Sequence, residues 1–179
     1  MSLVKTILEG NKIEYDDNEF KVRHSINNDY LHYIGNGINV TNPKGNVSCY
    51  RMFQDYKGTS LNLTNFDTHN ITNMSCMFDN CSNLSYLNLS KFDTSNVTNM
   101  KAMFWNCENL KELDISSFYI DNTKILDNMF WDCKSLETLK VSYDCLQFFS
   151  MNRGLLEVKN NVNIIPVSKL DKAVNDLFY

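Results

Sequence analysis

Apolar and polar positions alternate along the middle of the chain in a pattern that is written nearly three times. Met74–Ser–Cys–Met77–Phe78–Asp–Asn–Cys81, followed by Leu84, Leu87 and Leu89, returns as Met100–Lys–Ala–Met103–Phe104–Trp–Asn–Cys107 with Leu110, Leu113 and Ile115. It returns again as Leu126–Asp–Asn–Met129–Phe130–Trp–Asp–Cys133 with Leu136, Leu139 and Val141, each copy 26 residues after the last. Two periods live inside one copy. Leu87 and Leu89 alternate with Tyr86, Asn88 and Ser90, which predicts a short strand with one buried face. From Val97 through Met100, Met103, Phe104 and Cys107 the apolar spacing is three and four, which predicts a short helix with one buried stripe. Phe92–Asp93–Thr94–Ser95–Asn96 lies between them and is rich in side chains that bond neighbouring backbone in turns. Self-similarity at this period predicts an α/β solenoid of strand–turn–short-helix units, with the strands aligned in a parallel sheet.

The flanks depart from the repeat. Segments around Ile7–Tyr15 and Phe20–Arg23 alternate around Gly10–Asn11 and Asp16–Asn18, which predicts a hairpin, and residues 1–37 are read as a cap on the first unit. Residues 38–142 hold the repeats. Ile38–Val40 is a degenerate first strand, Asn42–Gly45 a turn, and Cys49–Phe53 a worn copy of the Met–Phe segment. Residues 143–179 are a C-terminal cap, with a last strand at Val162–Ile164 before Pro166 and an amphipathic helix from Ser168 to Phe178. Strands near Ile38, Leu61, Leu87, Leu113, Leu139 and Val162 predict one sheet roughly 28 Å wide at the usual strand spacing. The whole chain, 1–179, is one domain.

The repeated Leu-x-x-Leu-x-Leu, the Phe66-Asp-Thr-His-Asn-Ile-Thr-Asn-Met74 and Phe92-Asp-Thr-Ser-Asn-Val-Thr-Asn-Met100 segments, and Met-Phe-x-x-Cys resemble the BspA-like leucine-rich-repeat family, also seen as repeats in mycoplasma lipoproteins. The likeness covers roughly residues 49–142. It implies a right-handed leucine-rich-repeat solenoid that recognises proteins or surfaces, with no enzymatic residue to carry over, in a family commonly secreted or surface-anchored.

Composition narrows the partners. A net charge of −4 and a pI near 5.3 argue against nucleic acid or an anionic membrane surface as the main partner. The opening Met-Ser-Leu-Val-Lys-Thr-Ile-Leu-Glu-Gly lacks a signal peptide's apolar run, and no apolar stretch is long enough to span a bilayer. The expectation is a cytoplasmic protein without membrane insertion; cell-surface or secreted placement is the alternative if an export signal has been removed. Cys81, Cys107 and Cys133 share one inward register, and without Cys-x-x-Cys or a histidine at ligand spacing the six cysteines are read as reduced thiols that bind no metal. No cofactor is expected.

Only three histidines are present, no phosphate-binding glycine loop is seen, and Asp67 and Asp93 are read as turn caps, so no enzyme is expected. Binding is the better reading, because repeat copies keep what holds the fold and vary what faces out. The outer sheet face carries the columns Ser60, Tyr86, Glu112, Thr138 and Asn62, Asn88, Asp114, Lys140. Trp105 and Trp131 share a register one unit apart, pointing roughly 140° from the helix stripe. Asp79 holds that register in the preceding unit. Candidate protein-binding residues are therefore Trp105, Trp131, Tyr86, Asn88, Glu112, Asp114 and Lys140. The function read from these is a non-catalytic protein–protein interaction module. The rivals are a small intracellular inhibitor or effector, phage or mobile-element encoded, that occludes a host enzyme, a bacterial surface adhesion module, and a structural subunit. The oligomeric state stays open.

Overall fold

A computed structural model describes residues 7–9, 12–17, 20–24, 31–33, 47–121 and 125–168. Four strands come first: β1 (Ile7–Glu9), β2 (Lys12–Asp17), β3 (Phe20–His24) and β4 (Leu31–Tyr33). They pair antiparallel in chain order, with Leu8 opposite Ile13, Tyr15 opposite Val22 and Arg23 opposite His32. The predicted hairpin is thus the middle of a larger sheet, because Leu31–Tyr33, unread in the sequence, adds a fourth strand. The predicted strand at 38–40 and turn at 42–45 lie outside the described residues.

The repeats are joined by parallel pairing. β5 (Ser60–Asn62) lies beside β6 (Tyr86–Asn88), with Leu61 opposite Leu87. β7 (Glu112–Asp114), β8 (Thr138–Ser142) and β9 (Asn163–Val167) form a second parallel sheet, with Leu113, Leu139 and Ile164 in one line. The expected single sheet is therefore divided between β6 and β7, and Leu87 does not pair with Leu113. Nothing in the flanking residues explains the break. Two other columns carry the stacking across it: the parallel bridges Ser48–Asn73–Asn99–Ile125, and a line of phenylalanines. Phe53, Phe78, Phe104 and Phe130 stack with centroids 5.4, 5.5 and 5.6 Å apart and planes within 8°. Phe66, Phe92 and Phe118 form a second line at 6.0 and 6.3 Å. Such offset stacks add to the large apolar area these rings remove from water. Among the few buried hydroxyls, Thr68 accepts from the Asp93 amide at 2.8 Å and donates to the Asp93 carbonyl at 3.0 Å, so it too is tied to the next unit.

The segments predicted as short helices, such as 97–107, are turns. In each unit two residues four apart are left-handed: Arg51 and Asp55, Cys76 and Asn80, Ala102 and Asn106, Asn128 and Asp132, with φ between 53 and 63°. A right-handed helix cannot hold such residues. The amides divide their bonding instead. Met77, Asp79 and Cys81 donate three residues back to Met74, Cys76 and Phe78, while Cys76, Phe78 and Asn80 donate across to the carbonyls of Lys101, Met103 and Trp105. A spacing of three and four buries the same side chains in consecutive turns as in a helix, so the pattern could not separate the two. Asn and Asp accept φ > 0 readily; Arg51, Cys76 and Ala102 do so at about 1–2 kcal/mol each, offset by the bonds between units.

The final third differs most from expectation. Helices α1 (Leu146–Met151) and α2 (Arg153–Leu156) follow β8, where the sequence showed only bulky apolar residues. Phe149 and Leu156 enter the core, and the Arg153 guanidinium holds the carbonyls of Lys159 and Val162 at 2.8 and 3.1 Å. The predicted last strand exists and runs through Pro166, which an edge strand tolerates because one N–H is not needed there. Residues 169–178 of the predicted C-terminal helix lie outside the described residues.

The inward cysteines form a ladder of their own. Cys81, Cys107 and Cys133 thiols donate to the carbonyls of Phe53, Phe78 and Phe104 in the preceding unit, at 3.0, 3.2 and 3.0 Å. The corresponding first-unit position is Tyr56, whose hydroxyl donates to the Ser60 carbonyl at 3.1 Å. Its ring fits because residue 58 is glycine: a Cβ there would sit 2.2 Å from the Tyr56 Oη and 2.4 Å from its Cζ. Gly58→Ala is expected to lower stability by about 1–3 kcal/mol in urea unfolding, the usual effect of overpacking; an unchanged midpoint would show that the ring moves freely.

Burial pushes the Cys81 and Cys133 thiols up to about 12 and Cys107 well above its ordinary value. Unfolded thiols ionise near pH 8.5, so the native state keeps protons the unfolded chain gives up. The stability tied to these groups is complete below that pH and falls from about pH 9 towards 12, at about 1.4 kcal/mol per pH unit for each thiol. Urea midpoints measured from pH 7 to 10.5 should fall steeply above pH 9, and a flat profile would contradict the ladder.

Candidate protein-interaction surface

Three columns of Asn and Asp shape the outside of each unit. Asn62, Asn88 and Asp114, one position after the buried strand leucine, accept the amides of Thr64, Ser90 and Ser116 at 3.1, 3.0 and 2.9 Å. Asp67 and Asp93 accept the amides of His69 and Ser95, and Asn73 and Asn99 those of Ser75 and Lys101. These are Asx turns, in which a short polar side chain replaces a backbone acceptor and closes the chain onto its next direction. The amide of Ser95 and its hydroxyl hold the Asp93 carboxyl below the usual range. Asn88 and Asp114, candidates for binding, therefore have a holding role in the fold. The signal was present in the sequence as Asn/Asp followed two residues later by Thr/Ser.

The remaining sheet-face candidates divide between the two sheets. Tyr86 stands 62 % exposed on β6. Glu112 and Lys140 pair across β7 and β8, and that hydrogen bond raises the lysine pKa. Exposed pairs of this kind contribute little to stability.

The two tryptophans are brought together. Trp105 and Trp131 stack with centroids 5.4 Å apart and planes 25° from parallel; Trp105 is half-buried and Trp131 is 43 % exposed. They lie outside for a reason the helix argument did not contain. Each sits between an inward phenylalanine and a left-handed Asn or Asp, so the turn itself directs it out. Their column begins with Gln54 and Asp79, joined by a 2.7 Å bond from the Gln54 Nε2 to the carboxylate. Burial, opposed by that bond and reinforced by Asp55, raises the Asp79 pKa. Beside this column runs the left-handed one, in which the Asn80 amide donates to Asp55, the Asn80 and Asn106 side chains meet at 2.6 Å, and the Asn106 amide donates to Glu108 and Asp132 at 3.1 and 3.2 Å. Lys134 bonds Glu108 and reaches Asp132 at 3.2 Å.

Among the described residues no group of His, Cys, Asp and Glu could hold a metal ion, no disulfide joins the cysteines, and no helix is long and apolar enough to cross a membrane. The half-buried Cys76 is the least enclosed thiol, and burial raises its pKa as well.

No curated protein and no solved structure matches the chain. The family described as "Mycoplasma protein of unknown function, DUF285" matches residues 47–165, the span in which the stacked units lie, and the chain belongs to that family.

Proposed function

We propose that the chain is a leucine-rich-repeat solenoid of the BspA-like kind, acting without catalysis as a protein–protein interaction module. The ladders support the first part: identical inward positions recur in each unit and bond to the next, which is how a solenoid buries an interior that no single unit could bury. The observation that carries the second part is the outward stack of Trp105 and Trp131. These are the chain's only two tryptophans, and the fold spends both on the surface rather than in a core already filled by phenylalanine. Tryptophan is enriched among the residues that dominate binding energy. Tyr86 and the Glu112–Lys140 pair extend the contact area along the strands.

The preceding unit carries Asp79 in the same register, so the fold accepts a carboxylate there. In the variant Trp105→Asp, Trp131→Asp, thermal unfolding should shift by no more than a few degrees. Capture of the native partner on immobilised protein, followed by mass spectrometry, should be lost, with affinity falling about 30-fold or more. An unchanged partner set with the fold intact would refute the tryptophan surface, and Tyr86→Ser would then report on the strand face.

A further inference from the structure

We propose that the strip made by the Trp105–Trp131 stack and its flanking carboxylates binds an extended segment of the partner that bears arginine. This rests on the interaction-module reading and names the chemistry of its partner.

The stack is open at one end. The amides of Asp55, Asn80 and Asn106 bond the carbonyls of Asp79, Trp105 and Trp131 at 2.9, 2.8 and 2.7 Å, so each bond seats one column member upon the next. Among the described residues this series ends at Trp131. The following unit meets Asn128 and Phe130 through the carbonyls of Leu155 and Leu156, after which Glu157 turns left-handed and the Val158 amide bonds back to Arg153. One face of the Trp131 indole rests on Trp105, and the residue is 43 % exposed. An indole face attracts cations, and a planar guanidinium can lie parallel to it as a further layer of the stack.

Charge selects the same class. Carboxylates flank the indoles on both sides: Asp79 and Asp55 beyond Trp105, Asp132 and Glu108 beside Trp131. Three cations stand among them: Lys134, engaged by Glu108 and Asp132, Lys159, whose ammonium donates to the Lys134 carbonyl at 3.1 Å, and Arg51, which acts to lower the Asp79 pKa; against four carboxylates the strip stays net negative. Asp79 is half-buried, and burial followed by Asp55 raises its pKa against the Gln54 bond and Arg51, so a further cation would stabilise the carboxylate. Asp79 and Trp131 are two units apart in one column, about 10 Å at ordinary strand spacing, which an extended segment covers in about three residues. The fitting motif is Arg-x-x-Arg, one guanidinium on the Trp131 face and the other at Asp79.

With no tryptophan elsewhere, indole fluorescence reads this site alone. The probe is the capped peptide acetyl-Gly-Arg-Gly-Gly-Arg-Gly-amide, with lysine and citrulline versions as controls; citrulline keeps the planar shape and removes the charge. The arginine peptide should change the emission saturably, bind at least about threefold more tightly than the lysine peptide, and lose affinity as salt is raised. Citrulline should give no saturable change. Trp131→Ser, read through Trp105, should abolish the response, and Asp79→Asn, which keeps an acceptor for Gln54, should weaken it. No saturable response to arginine, an equal response to citrulline, or a response that survives Trp131→Ser would overturn the proposal. If Trp105→Asp, Trp131→Asp loses the native partner while the arginine peptide has no effect, the tryptophan surface stands and the arginine assignment falls.

Discussion

The fold depends on backbone amides that reach out of their own unit. In the Met–Phe segments every second amide bonds a carbonyl 24 to 27 residues further on, and the amides between them close local turns. A helix would have consumed all of these donors internally and left each unit to be held by side-chain contact alone. The left-handed residues make the division possible, since they rotate alternate amides towards the neighbour. Backbone donors buried away from water must find partners, and here the partners are the next unit's carbonyls.

Side chains repeat the same rule. Phenylalanine lies on phenylalanine, a thiol bonds the carbonyl of the unit before, and the Asn80 side chain meets Asp55 on one side and Asn106 on the other. Each column is a short chain of like contacts. Where one member changes, its neighbours adjust locally: Tyr56 replaces a cysteine and a glycine two residues later makes room. Where the tryptophan column ends among the described residues, at Trp131, the indole stands 43 % exposed.

Much of this was legible in the residues. The inward set could be read from spacing, and Leu61, Leu113, Leu139, Phe104 and Met103 are all buried to within 2 %. The tryptophan pair could be read from Asp79 in the same register. The turn geometry could not, because spacing reports which side chains face inward and is silent on how the backbone between them bonds. Its trace was chemical: Asn80, Asn106 and Asp132 each precede a buried cysteine, and those residue types accept positive φ. Asn88 and Asp114 were read as outward binding candidates. Their capping role needed the hydroxyl residue two places on to be read with them. The division of the sheet between β6 and β7, and the short helices after Val141, left no periodic signal at all.

The bonding of unit to unit through equivalent atoms has a consequence for how such a molecule can vary in size. Gaining or losing one whole 26-residue copy leaves every interior contact of the kind it was before and shifts the two ends by a single strand spacing. Length can then change in discrete steps without a new core having to be invented, and the distance between surface features on different copies is set by counting.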